Sequence, residues 1–281
     1  MTYFLEKCHS YYDDTTVEKI ILGMQKRYTS FRVNPLKDKG EALEEIKKHN
    51  LKIRKAGIYE NAYILENAKE EDLESLDCYR EGGIYLQSLS SMMPPLKMDL
   101  IPGHAVLDMA AAPGGKTTEM AALSMNKVSI TACELNKIRA NRLKFNVDMQ
   151  GASSVFVMNT DARRLDDFFS FDEILLDAPC SGSGTRSYTE EGLKGLGEEL
   201  VAKSVKSQET LLKQAYKHLK KNGTIVYSTC SIFKCENEEL VLKALKDKKY
   251  EIIPISFNDD NLELLPSTID GALTIMPNAY Y

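Results

Sequence analysis

Residues 104–123 read HAVLDMAAAPGGKTTEMAAL, and this stretch decides the fold. An apolar run over 105–109 predicts a strand, Gly114 and Gly115 let the backbone turn tightly, and a helix is expected to begin near Lys116. Such a turn presents backbone N–H groups and a helix N-terminus to the polar end of a ligand. Outward from it, further apolar runs follow at 128–133, 155–158, 173–176, 224–227 and 250–255. Between them lie amphipathic helical patterns such as LNKIRANRLKFNVDMQG and AKSVKSQETLLKQAYKHLKKNG. The second carries Val205, Leu211, Leu212, Ala215 and Leu219 on one stripe and is expected to close with Asn222-Gly223 as a C-cap. Alternating strands and helices predict an α/β fold, a parallel doubly wound sheet whose ligands bind at the carboxyl ends of its strands. Before residue 100 the pattern is different, mixing short helical stretches with turns. A small α+β part over 1–98 and a larger α/β domain over 99–281 are therefore expected.

Composition bounds the alternatives. The 281 residues, 43% hydrophobic and 27% charged, suit one main globular domain with an appendage. No run of eighteen apolar residues occurs, so no membrane-spanning helix is expected. The opening MTYFLEKCHSYYDD has no basic segment leading into an apolar one and predicts no secretory signal. The six cysteines form no C-x-x-C pair, which argues for reduced thiols and a cytoplasmic setting. None of the four histidines has a spaced partner, so no metal site is expected. Net charge is −5, yet residues 19–55 hold eleven Lys/Arg against four Asp/Glu. Residues 60–81 reverse the balance with eight acidic and two basic residues. A basic arm on an acidic whole can hold a phosphate backbone locally, and two solvated helix faces would give the same counts.

Three readings compete for the glycine turn. It is a ligand-free strand-to-helix connection, a nucleotide-triphosphatase P-loop, or an S-adenosylmethionine pocket. The P-loop pattern needs glycine where Ala110 stands, and Pro113 removes an N–H from the loop that would cradle phosphates. The methyl-donor reading gains from the next three strands, which end at Glu134, Asp161 and Asp177. Glu134 lies where a doubly wound fold places the carboxylate that binds a ribose hydroxyl, and Asp161 is a candidate for the adenine edge. Asp also caps helices, so each carboxylate alone is weak evidence.

Two thiols leave strand ends nearby, Cys180 in LLDAPCSGSGT and Cys230 in VYSTCS. Adding a methyl to an aromatic ring carbon requires activating that carbon. A thiolate added to carbon 6 of a pyrimidine makes carbon 5 nucleophilic, and a base must later remove the carbon 5 proton so that the thiol can leave. Singly, each cysteine reads as a small core residue; together with a carboxylate beside a methyl donor they suit that chemistry.

DMAAAPGGKTT, DAPCSGSGT and YSTCSIFKCENEE together resemble the motifs of the Sun-type (Nol/Nop/Sun) RNA 5-methylcytosine methyltransferases, over roughly residues 28–280. FRVN at 31–34 and YLQSLSSM around Gln87 match that family's amino-terminal RNA-facing region. The resemblance implies a Rossmann-like class I methyltransferase sheet and S-adenosylmethionine as donor. It implies an RNA cytosine, ribosomal or transfer, as acceptor, presented unpaired or flipped. It makes Cys230 the nucleophile and Cys180 the residue that helps release product, an assignment that spacing alone leaves open. Donor-binding positions carried over are Ala110, Ala111, Ala112, Pro113, Gly114, Gly115, Lys116, Glu134, Asp161 and Asp177, with Asp177 also facing the cytosine. Arg32, Asn34, Lys37, Arg54 and Lys55 are the candidate RNA contacts, and a monomer is expected.

Two departures from the family pattern stand out. Ala110 replaces a cysteine common in the first motif. ALTIMPNAYY stands at the end, where family members continue into a Gly-Phe-Phe strand, so a truncated sheet edge is expected. Cys8, Cys78, Cys133 and Cys235 read as packing residues. The alternatives to this reading are a P-loop ATPase and a catalytically silent RNA-binding module.

Overall fold

The computed structural model describes residues 1–25, 27–247 and 250–278. The chain forms two compact units, each assembled from separate stretches. One comprises Tyr28–Asp177 and Gln214–Tyr227; the other comprises Met1–Arg27, Ala178–Lys213 and Ser228–Tyr281.

The first unit opens with four short strands, β1 (Thr29–Val33), β2 (Ile53–Lys55), β3 (Ala62–Leu65) and β4 (Ile84–Leu86), in the antiparallel order β2-β3-β1-β4. Phe31, Leu65 and Ile84 point from them into a core shared with Ile46 and Leu73 of two short helices. The expected α+β part covers residues 1–98, whereas residues 1–27 belong to the other unit. Position 98, where the sequence reading divides the chain, lies inside the unit. Buried side chains of the antiparallel strands are bonded directly to the glycine turn that follows, as described below.

The second sheet of this unit holds β5 (Ala105–Asp108), β6 (Ser129–Cys133), β7 (Val155–Met158), β8 (Phe171–Asp177) and β9 (Leu219–Ser228), in the order β7-β6-β5-β8-β9. The pairs β5/β6, β6/β7 and β5/β8 are parallel. The first strand of this sheet sits in its middle, and the chain winds outward to one side and then to the other. That reversal is the switch point of a doubly wound fold, and it places a crevice at the carboxyl ends of β5 and β8. Val106 and Leu107 of β5 and Ile174, Leu175 and Leu176 of β8 are all fully buried. Strands covered on both faces read as continuous apolar runs, which is why they were visible in the sequence.

Two sequence expectations are corrected. Residues 250–255 form no strand. Pro254 removes a ladder donor and packs on Gly271, while Ile253 is 60% exposed, so the Ile-rich pattern there is not a sheet face. The long helix runs Glu198–His218 and ends before the expected cap. Asn222 does take a left-handed φ of 63°, but within β9. The last three residues of the expected truncated edge, 279–281, lie outside the described residues.

In the second unit, helices Thr2–Tyr11 and Asp14–Gly23 enclose the segment that follows Cys230. Phe4, Ile20, Ile232 and Phe233 are buried together, the rings of Phe4 and Phe233 lie 6.0 Å apart, and the Tyr12 hydroxyl donates to the Ile232 carbonyl at 2.8 Å. The thiol of Cys230 is therefore carried on a loop anchored in a core by Ile232 and Phe233, two and three residues further on. Among the described residues no helix is long and apolar enough to cross a membrane.

Candidate active site

In the first unit the glycine turn joins β5 to the helix Gly115–Leu123. Gly114 caps that helix with a φ of 111°, and a β-carbon there would lie 3.0 Å from Leu143. At Gly115 a β-carbon would meet the Tyr85 ring at 3.3 Å and the Gln87 amide at 3.5 Å. The missing side chain at Gly115 keeps open a cavity of about 180 Å³ lined by Ala110–Pro113, Gly115, Lys116, Asp108 and Asp177, with Tyr85, Gln87 and Ser91 opposite, while Gly114 lies outside its lining. Lys116 spans this cavity. Its Nζ donates to Ser91 Oγ at 2.9 Å and to Asp177 Oδ2 at 2.7 Å. Burial alone would depress the ammonium pKa, and the Asp177 contact outweighs burial, so Lys116 stays charged.

Of the three carboxylates expected around one crevice, only Asp177 lines the cavity. Glu134, at the end of β6, is buried and accepts the Asn136 N–H at 2.7 Å. Asp161 caps a short 3-10 turn, and its carboxylate is gripped by the Arg163 guanidinium at 2.8 Å on each oxygen, which holds its pKa low. A carboxylate absent from the expected set does line the cavity. Asp108 ends β5, is 1% exposed, and accepts the Thr117 hydroxyl at 2.7 Å. Burial pushes its pKa up to about 6. Its signal in the sequence was the acidic residue placed just before the turn in VLDMA.

Arg32 and Asn34, expected on the RNA face, turn out to be interior. Arg32 is 1% exposed; its Nε donates to Gln87 Oε1 at 2.9 Å and its Nη2 to Thr118 Oγ1 at 2.7 Å. Asn34 donates to the carbonyls of Gly82 and Gln150, each at 2.9 Å. Arg32 braces the turn from behind, Asn34 ties Gly82 to Gln150, and a buried guanidinium bonded in this way does not face a phosphate. Lys37, Arg54 and Lys55 are exposed, with Arg54 paired to Glu66 at 3.2 Å.

Behind the turn, Gln87 Nε2 donates to Glu119 Oε2 at 2.8 Å. Glu119 is fully buried, and burial pushes its pKa from 4.5 up to about 8, against the pull of Arg32. The folded chain therefore holds an extra proton between those two values, and the cost of ionising Glu119 grows as pH rises through that window. We expect wild-type stability to fall by about 1 kcal/mol more than that of Glu119→Gln between pH 7 and pH 9, read from thermal melts. Parallel melting curves for the two proteins would place the titration elsewhere.

The thiols lie in the second unit. Cys180 Sγ and Cys230 Sγ are 3.1 Å apart. The loop after Cys180 turns at Gly182, φ 72°, and brings the Gly184 N–H onto the Cys230 carbonyl at 3.0 Å. Cys180 is raised in pKa by its hydrogen bond to Cys230, then by burial, then by repulsion from a Cys230 charge. Cys180 therefore holds its proton more tightly than an ordinary thiol, while the neighbouring Cys230 is the exposed member of the pair. Buried beneath both is Glu236, which accepts from Ser181 N at 2.8 Å and from the hydroxyls of Ser181 and Ser231, each at 2.5 Å. The sequence reading had no entry point to Glu236 beyond the acidic run KCENEE. Cys235 forms no disulfide, is hydrogen-bonded with Tyr11 and packs beside the aromatic core.

Residues 95–280 match the family model described as 16S rRNA methyltransferase RsmB/F. Ribosomal RNA small subunit methyltransferase F of Shewanella piezotolerans is 34% identical over 234 residues, covering 79% of this chain and 48% of the relative. The probable ribosomal RNA small subunit methyltransferase B of Bacillus subtilis is 30% identical over 257 residues, covering 89% of this chain and 57% of the relative. The chain spans about half the length of the curated relatives it matches. Among solved structures, a methyltransferase homolog protein from Pyrococcus horikoshii superposes with a TM-score of 0.70 at 29% identity, covering 90% of this chain and 85% of that one.

Proposed function

The chain belongs to the RsmB/F family of 16S rRNA methyltransferases, and from that premise we propose that it methylates carbon 5 of a cytosine in ribosomal RNA, with Cys230 as nucleophile and S-adenosylmethionine as donor. The observation that carries the reading is the 3.1 Å contact between the Cys180 and Cys230 sulfurs. When bound, S-adenosylmethionine supplies an electrophilic sulfonium methyl. The space kept open at Gly115, with Asp108, Lys116 and Asp177 around it, fits a ligand that carries both an ammonium and polar edges.

The Cys230 thiolate adds to carbon 6, and the displaced electron pair makes carbon 5 the group that takes the methyl. Bond formation consumes the negative charge on Cys230. The hydrogen bond and the repulsion that hold the Cys180 proton in place both come from Cys230. Attack removes both and leaves burial as the main remaining cause, so the Cys180 proton is held less tightly and passes to solvent at the stage when a base is required. Its thiolate then takes the carbon 5 proton, the carbon 6–sulfur bond breaks, and Cys230 leaves as the thiolate. One proton is released per methyl transferred, and the pair returns to its starting state.

Incubating the protein with methyl-labelled S-adenosylmethionine and small-subunit ribosomal RNA, then digesting to nucleosides, tests this. Label in 5-methylcytidine is expected. Label in a base-nitrogen or ribose methyl would sink the assignment of chemistry. Thermal protection by ATP with magnesium, and none by S-adenosylmethionine, would sink the assignment of donor.

A further inference from the structure

The structure assigns a positioning role to Glu236: it clips the loop of Cys180 to the loop of Cys230 so that the two sulfurs stay in contact. The carboxylate is fully buried and accepts bonds from Ser181, Ser231 and, at 3.4 Å, the Gln208 amide. One oxygen accepts the Ser181 backbone N–H, at 2.8 Å. The other accepts two hydroxyls, Ser181 Oγ from the first loop and Ser231 Oγ from the second, both at 2.5 Å. Ser181 and Ser231 each stand one residue after a thiol, so the two short bonds fix the thiols through their immediate neighbours. Charge-assisted bonds of this length are the strong class.

The rest of the network has one direction. The single proton of Ser231 goes to Glu236, so Ser183 is the donor in its 2.8 Å bond to Ser231, and Ser183 in turn accepts the Ile232 N–H at 3.0 Å. Donors thus converge from both loops on one acceptor, and chains of this kind strengthen one another. Asn237 holds the other side of Cys230, accepting the Thr229 hydroxyl at 2.6 Å and donating to the Ser231 carbonyl at 2.8 Å. Glutamine at position 236 has the same shape but only one accepting atom. It cannot receive the Ser181 N–H on one side and both hydroxyls on the other, and the loops lose their common anchor.

The catalytic consequence rests on the cysteine mechanism proposed above, and the contact itself does not, so the experiment reads both. First, the full chain is treated with diamide, which takes up the two electrons and two protons of a thiol pair, and Cys180–Cys230 disulfide is followed by peptide mass. Wild type closes rapidly, and Glu236→Gln is expected to close at least tenfold more slowly. Second, covalent protein–RNA complex is followed on a denaturing gel. Glu236→Gln is expected to form adduct and clear it tenfold more slowly than wild type. A wild-type rate of disulfide closure in Glu236→Gln overturns the inference, whatever the RNA result. Disulfide closure that slows as expected, with no adduct even in a Cys180→Ala protein, keeps the positioning role and removes the chemistry it was assigned to serve. If Glu236→Gln does not fold, Ser181→Ala, which deletes one of the two short bonds, is read in the same way: slower closure supports the clip and an unchanged rate overturns it.

Discussion

Cys180→Ala is expected to trap RNA as a covalent adduct that survives a denaturing gel, and Cys230→Ala to trap none. The asymmetry follows from the roles proposed for the two thiols. Cys180 lies 3.1 Å from Cys230 and is raised in pKa by that contact before all else. Removing Cys180 leaves the exposed thiol of Cys230 free to ionise and add to carbon 6, so attack survives. What is lost is the base that takes the carbon 5 proton. A positioned general base contributes about 10²–10⁴-fold, and release is expected to slow by at least about 100-fold. Removing Cys230 deletes the nucleophile, and neither adduct nor methyl transfer remains. Incubation with S-adenosylmethionine and ribosomal RNA, followed by gel mobility with and without nuclease, reads both variants side by side. Adduct in Cys230→Ala and none in Cys180→Ala would exchange the two roles and discard the proton argument, while leaving methyl transfer to cytosine in place.

The parts of the molecule that sequence disclosed are those whose cause is local. Val106-Leu107 and Ile174-Leu175-Leu176 are covered on both faces, so the chain had to spell them as unbroken apolar runs. Gly114 had to be glycine, with its φ of 111° and Leu143 against its missing side chain, so the turn was visible as well. The strand expected at 250–255 fails for an equally local reason, Pro254, which was present in the sequence and outweighed by the isoleucines around it. What stayed hidden depends on partners distant along the chain. Arg32 reads as a surface cation in a basic segment until Gln87 and Thr118 are seen to accept its protons. Glu236 reads as one charge in an acidic run, and only its bonds to Ser181, 55 residues away, reveal a buried anchor. Asp108 and Glu119 flank the motif itself, yet their raised pKa values come from burial, which no short stretch encodes. Strand-end thiols could be noticed as a pair, whereas their distance and their unequal exposure required the fold.

The second large effect is expected at Lys116 and Asp177. Lys116→Met and Asp177→Asn should each lower kcat/KM for methyl transfer by about 100-fold, which corresponds to about 2.7 kcal/mol of transition-state stabilisation, and the double variant should be no worse than the poorer single. The ammonium lies 2.7 Å from Asp177 Oδ2 and 2.9 Å from Ser91 Oγ, with its side chain 16% exposed and that of Asp177 32% exposed. At that degree of burial, removing one partner strands the other as an uncompensated charge, which costs more than the pair contributed. Removing both abolishes the stranded charge, so the losses cannot add. Calorimetric titration with S-adenosylmethionine then locates the effect. A weakened Kd with unchanged kcat at saturation places the pair on the donor, and an unchanged Kd with lowered kcat places it on the reacting cytosine. Losses that multiply in the double variant would show that Lys116 and Asp177 act independently. Their 2.7 Å contact would then be an ion pair that happens to line the cavity, and the case for Lys116 as a functional residue would rest on the turn alone.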